Sequence, residues 1–194
     1  MKSLIALLTL GTLLAAPATL PAKITRTVEK TFTVQPGGTL KVSTQGGDIK
    51  VLTGPGNEVK VTATERIKAD SEAKADELLK QLELTIEQHG DDVTATAKFE
   101  KQNGWHFGNW PPVNVSFTVV VPARYSVDLN TSGGDIGIAS LNGHARLRTS
   151  GGDLKLERVE GEVDGGTSGG DCSPRGGPTI APGQPVGLLD AVLS

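Results

Sequence analysis

One octapeptide theme returns along this chain and limits what the chain can fold into. Leu-Asn-Thr-Ser-Gly-Gly-Asp-Ile starts at Leu129, Leu-Arg-Thr-Ser-Gly-Gly-Asp-Leu starts at Leu147, and Gly-Gly-Thr-Ser-Gly-Gly-Asp starts at Gly165, giving a period of 18 residues. A fixed period of this size marks stacked supersecondary units. After each Asp the apolar residues alternate, as in Ile136 and Ile138 or Leu154 and Leu156, which is the period of a strand. The Gly-Gly pairs break every unit, and the apolar spacing of two argues against a helical repeat. Each unit therefore reads as two short strands and two turns. A single unit cannot bury its own apolar face, but stacking places Leu129 over Leu147 and Ile136 over Leu154, with backbones ~4.8 Å apart.

An earlier, divergent copy runs Val42-Ser43-Thr44-Gln45-Gly46-Gly47-Asp48-Ile49-Lys50-Val51. The segment from about Leu40 to Val61 is read as a first rung, with the residues between it and Leu129 as an elaboration of the stack. The expected fold is all-β with one short helix, a β-solenoid or β-helix of ~18-residue Thr-Ser-Gly-Gly-Asp-Ile/Leu rungs. The structural turns are Gly46, Gly47 and Asp48; Gly133, Gly134 and Asp135; Gly151, Gly152 and Asp153; and Gly169, Gly170 and Asp171. Glycine is expected there to supply positive φ, and each Asp to cap its own turn.

The rest is read around this stack. Residues 1–18 resemble a secretory signal, with Lys2 ahead of an apolar run too short to span a membrane. Residues 23–171 form a single domain. Ala75, Leu78, Leu79 and Leu82 share one helical face, so a helix is expected over residues 70–82, laid across one face or end of the stack. Leu82 to Phe99 alternates about a His-Gly-Asp-Asp turn, which is a β-hairpin. Residues 172–194 read as an irregular Pro-rich tail, because Cys172-Ser173-Pro174 replaces the expected apolar-x-apolar strand; a truncated or frameshifted solenoid is the favoured reading of that break.

The signal, the early rung, the helix and hairpin, the Trp/Pro loop, the Val-rich strand ending in Val121-Pro122 and the repeated Thr-Ser-Gly-Gly-Asp resemble a bacterial putative-adhesin family of unknown function. The resemblance spans roughly Lys23 to Asp171. It implies a β-solenoid domain that is exported or displayed on the cell surface, and it brings no catalytic residues with it.

The residues themselves offer little chemistry. The net charge of −3 argues against a nucleic-acid binder. Cys172 is the only cysteine, and His89, His106 and His144 lie far apart. Ser132, Ser150 and Ser168 recur with the turn, whereas a catalytic residue is needed once. No enzyme activity and no cofactor are expected. Asp135, Asp153 and Asp171 are a weak Ca²⁺ candidate, since oxygen-rich stacked turns can hold that ion but the second Gly-x-Asp of the calcium-binding repeat is missing. Trp105, His106, Phe107 and Trp110 are the candidate contact residues for a ligand or partner, an aromatic platform in a Gly/Pro-rich loop. The expected function is an exported, non-enzymatic domain with a structural, adhesive or surface-interaction role, in the periplasm, on the surface or outside the cell. Its partner would be a protein or glycan at the cell surface, and edge-to-edge self-association is a further expectation. Two alternatives are a carbohydrate-binding or carbohydrate-active protein using the Trp105–Trp110 loop, and an envelope signalling module.

Overall fold

The computed structural model describes residues 24–99 and 112–174. The proposed signal, the Trp105–Trp110 loop and the tail beyond Pro174 lie outside them. The described chain is almost wholly β. In order it contains β1 (Ile24–Thr33), β2 (Thr39–Thr44), β3 (Ile49–Gly54), β4 (Glu58–Ile67), α1 (Glu72–Leu79), β5 (Leu82–His89), β6 (Asp92–Phe99) and β7 (Val113–Pro122). Then come β8 (Ser126–Thr131), β9 (Ile136–Asn142), β10 (Ala145–Thr149), β11 (Leu154–Glu160), β12 (Val163–Thr167) and β13 (Cys172–Pro174). Two sheets result, one of seven strands in the order β1-β4-β7-β3-β9-β11-β13 and one of six in the order β12-β10-β8-β2-β6-β5.

The 18-residue period is the pairing register. Strands β8, β10 and β12 are parallel, with Leu129 opposite Leu147 and Thr131 opposite Thr149, which in turn faces Thr167. Strands β9, β11 and β13 repeat this in the other sheet, pairing Ile136 with Leu154 and Leu154 with Cys172. The early copy joins the same columns, Val42 lying opposite Leu129 and Ile49 opposite Ile136. Alternation sends one set of side chains inward, so Leu40, Leu129, Leu147, Ile49, Ile136 and Leu154 enter one buried cluster. Cys172 to Pro174, expected to leave the template, instead continues it as β13 against β11.

The segment expected to elaborate the stack supplies another layer of it. Strand β6 pairs in parallel with β2 and β7 with β3, so β2 and β3 lie between β6–β7 on one side and β8–β9 on the other. Ala95 occupies the Val42 column and Phe117 the Ile49 column. The expected first rung, Leu40 to Val61, is shorter than the sequence suggested. Strand β4, which holds Val59 and Val61, runs antiparallel to both β1 and β7.

The helix is also shorter than residues 70–82. The Ser71 side chain accepts the Lys74 N–H, capping the N-terminus. Leu82 pairs with Phe99 in the antiparallel hairpin β5–β6, so strand pairing ends the helical periodicity. Ala75 is buried, Leu78 and Leu79 pack partly against the core, and Arg26 of β1 reaches Asp76 at 2.7 Å and Glu72 at 3.1 Å. Tyr125, fully buried, donates its hydroxyl to the Asp91 carbonyl and ties the entry of β8 to the hairpin turn.

Candidate functional site

The repeated turn was the strongest motif in the sequence, and its side chains divide sharply by column. Each Thr is buried and bonded twice. Thr149 donates its hydroxyl to the Gly134 carbonyl at 3.0 Å and accepts the Gly152 N–H at 3.2 Å. Thr131 does the same with Gly47 at 3.0 Å and Gly134 at 3.3 Å, and Thr167 with Gly152 at 2.9 Å and Gly170 at 3.1 Å. Thr44 begins the series on the Val115 carbonyl at 3.0 Å.

The two glycines of each turn differ in kind. A Cβ on Gly152 would stand 2.0 Å from the Gly134 carbonyl oxygen, and one on Gly134 would stand 2.1 Å from that of Gly47. Backbone lies where the side chain would go, and that is why the second glycine is required. Positive φ, expected at these pairs, occurs instead at Gly143 (157°) and Gly161 (137°) in the opposite turn. A Cβ on Gly133 would meet nothing within 4 Å, and Ser132, Ser150 and Ser168 are exposed at the tips.

The aspartates reach across the stack instead of capping their own turns. The Asp135 N–H donates to Asp48 Oδ1 at 3.1 Å, the Asp153 N–H to Asp135 Oδ1 at 2.9 Å, and the Asp171 N–H to Asp153 Oδ1 at 3.0 Å. The parallel register places the next layer's amide beside each carboxylate, so that amide is the nearer donor. Lys155 Nζ lies 2.9 Å from Asp135 Oδ2 and 3.6 Å from Asp153 Oδ2. The Asp153 N–H first, and Lys155 second, hold the Asp135 carboxyl below the usual carboxylate range. Among the described residues no group of three or more His, Cys, Asp or Glu side chains is placed to hold a metal ion. As ordered, the oxygens that Ca²⁺ would need from Asp135 are engaged by a backbone amide and an ammonium group.

Other charged side chains pair across the layers. Arg148 pairs with Asp164 at 2.6 Å and Arg146 with the same carboxylate at 3.7 Å, while His144 lies 3.4 Å from Glu162 one layer on. Arg148 is the main reason the Asp164 carboxyl is held low. Burial pushes the Cys172 thiol up, away from the thiolate form a nucleophile needs. Trp105, His106, Phe107 and Trp110 lie outside the described residues.

A second polar feature went unread in the sequence. Arg66, at the end of β4, and Lys68 line a groove of about 340 Å³ together with Asn114, Ser116, Asp48 and Ser132. Strand β4 pairs with β7, and β7 with β3, so the two cations stand beside the first Gly-Gly-Asp turns. The only sequence signal was an Arg-x-Lys at a strand end, flanked by Glu65 and Asp70.

No protein-family model matches the chain, and no curated protein matches it. Solved structures do align. A putative cell adhesion protein of Clostridium sporogenes is 9% identical, with a TM-score of 0.36 over 73% of this chain and 73% of that one. A putative lipid binding protein of Parabacteroides distasonis is 10% identical, with a TM-score of 0.39 over 76% of this chain and 60% of that one. A putative adhesin of the same organism is 11% identical, with a TM-score of 0.28 over 77% of this chain and 76% of that one. Among the described residues no helix is long and apolar enough to cross a membrane.

Proposed function

We propose that the chain is an exported, non-enzymatic domain of adhesin-like type, built as a β-solenoid, with a structural, adhesive or surface-interaction role. One observation carries this reading. The residues that recur most strictly, Thr131/Thr149/Thr167 and Asp48/Asp135/Asp153, hold neighbouring layers together through their side chains. A repeat conserved within one chain for stacking makes a stiff scaffold that presents its turns and outer faces. The 18-residue parallel register of both strand columns supports the solenoid reading.

The test is expression of the full chain in a bacterial host, followed by fractionation and mass analysis of the product. The expected product lacks roughly the first 18 residues and lies in the periplasm or medium, as a signal of this length and polarity requires. A full-length product retained in the cytoplasm would contradict the export half of the proposal.

A further inference from the structure

The groove beside Arg66 and Lys68 has the composition of a binding site. Neither cation forms an ion pair among the described residues, a state shared by exposed lysines such as Lys41 and Lys50, but Arg66 and Lys68 stand together in one groove. Both are exposed on a chain whose net charge is −3, so a concavity holding two unpaired cations runs against the molecule's overall sign. They lie two residues apart at the end of β4, and so on one side of it. Among the described residues Asp48 is the one carboxylate in the groove, and its Oδ1 already accepts the Asp135 N–H.

The neutral groups of the groove include hydrogen-bond donors. Ser116 Oγ accepts the Asp48 N–H at 3.3 Å, which leaves its own O–H to give. Asn114, the register partner of Arg66, brings an amide, and Ser132 an exposed hydroxyl. Space beside Gly133 is open. Two cations and several neutral donors facing an open, polar groove fit an oxyanion carried on a hydroxyl-rich chain. Among the described residues the walls offer neither the apolar surface a lipid tail needs nor the stacking rings a nucleic-acid strand uses.

We propose that this groove binds the acidic group, a uronate carboxylate or a sulfate ester, of an anionic glycan. The proposal rests on the surface-interaction reading and names its ligand class. A single such contact at a solvated surface is weak, so useful affinity comes from repeated engagement along a polymer.

The test is calorimetric or biosensor titration of the full chain with an oligogalacturonate, a sulfated oligosaccharide and a neutral oligoglucan. Binding of at least one acidic oligosaccharide, and not of the neutral one, is expected, with affinity falling as salt rises. Arg66→Glu and Lys68→Glu should each weaken it roughly tenfold, as loss or reversal of a charge-assisted contact does. Gly133→Gln, placed in open space, should weaken it by obstruction while the melting temperature stays unchanged. Lys41→Glu makes the same charge change on the other sheet and should leave binding within about twofold. Which acidic probe binds separates the carboxylate and sulfate arms. No binding of either acidic probe overturns the proposal, as does equal loss with Lys41→Glu or equal binding of anionic vesicles or single-stranded DNA. Neutral-glycan binding insensitive to Arg66 and Gly133 would leave the surface-interaction reading standing and remove this site.

Discussion

The stacked layers from β8 onward and the antiparallel flank of β1, β4, β5 and α1 both pack apolar residues against one core, yet they fix their geometry differently. In the stack a few side chains act the same way in every layer: Thr bonds the layer before it, the second glycine lets the backbones approach, and Asp takes the next layer's amide. In the flank each contact is used once. Arg26 clasps the helix through Asp76 and Glu72, Lys30 donates to the Ile86 carbonyl, and Tyr125 holds Asp91. The difference teaches that repetition in this sequence marks what holds layers together. Groups free to meet a ligand are to be sought where the repeat is interrupted, as at Arg66 and Lys68.

The sharpest way to break the comparison is to mutate the two glycines of one turn. Gly152→Ala forces a methyl onto the Gly134 carbonyl and should cost roughly 3 kcal/mol or more, a size reserved for named steric or burial faults. Gly151→Ala, whose Cβ would meet only the Ser132 carbonyl at an ordinary 3.8 Å, should stay within about 0.5 kcal/mol. Urea unfolding of both variants measures the pair, and equal effects would show that close approach is not what demands glycine.

Next in size is Thr149→Val. It keeps the shape but strips the Gly134 carbonyl and the Gly152 N–H of their partner, at about 1–3 kcal/mol by the usual cost of an unsatisfied buried group. Thr149→Ser retains the hydroxyl and should lose visibly less. If Val and Ser variants unfold alike, the hydroxyl ladder contributes nothing.

Acid titration separates the two regions by sign. Asp135 has a depressed pKa, so its contribution is present above about 3.8 and fades as pH falls through the lowered value. Glu65, buried in β4 on the flank, has its pKa pushed up by burial, with Arg26 partly opposing. Its contribution is present below about 4.5 and is lost as pH rises through the raised value. Glu65→Gln should therefore raise the melting temperature at pH 7, whereas Asp135→Asn should lower it there and make less difference in acid. Thermal melts from pH 3 to pH 7 check both signs.

The smallest effect is spectroscopic. Tyr125 is the single tyrosine, and burial first, then Asp92 and Asp91, push its phenol up to about 12. Absorbance titration in the ultraviolet should show a midpoint near that value. A midpoint at the ordinary 10.0 would mean that Tyr125 is not sealed against the hairpin turn.

The stack from β8 onward was legible in the sequence because each of those layers has its own Thr, its own second glycine and its own Asp, so the demand writes itself out every 18 residues. The layer made by β6 and β7 was not legible. Ala95, Ala97, Phe117 and Val119 fill the inward columns, but no Gly-Gly-Asp joins them, and Val115 supplies the carbonyl that Thr44 and Gly47 meet. The direction of the Asp bonds was missed because an aspartate capping its own turn and one reaching the next layer look alike in sequence. The Arg66 groove was hidden for a topological reason: it assembles from residues 45–48, 66–68, 114–116 and 132–134, brought together by pairings between distant strands.

The central claim, that the repeat's Thr-Gly-Asp chemistry is consumed in stacking at an 18-residue register, is tested most directly by NMR couplings across hydrogen bonds. The account predicts a coupling from the Ile136 amide nitrogen to the Asp153 carbonyl carbon, matching its 2.9 Å bond, and one from the Asp153 amide nitrogen to the Asp135 carboxyl carbon, matching the other 2.9 Å bond. Couplings from those amides to carbons of their own turn would contradict it, and the aspartates would then be free for another role.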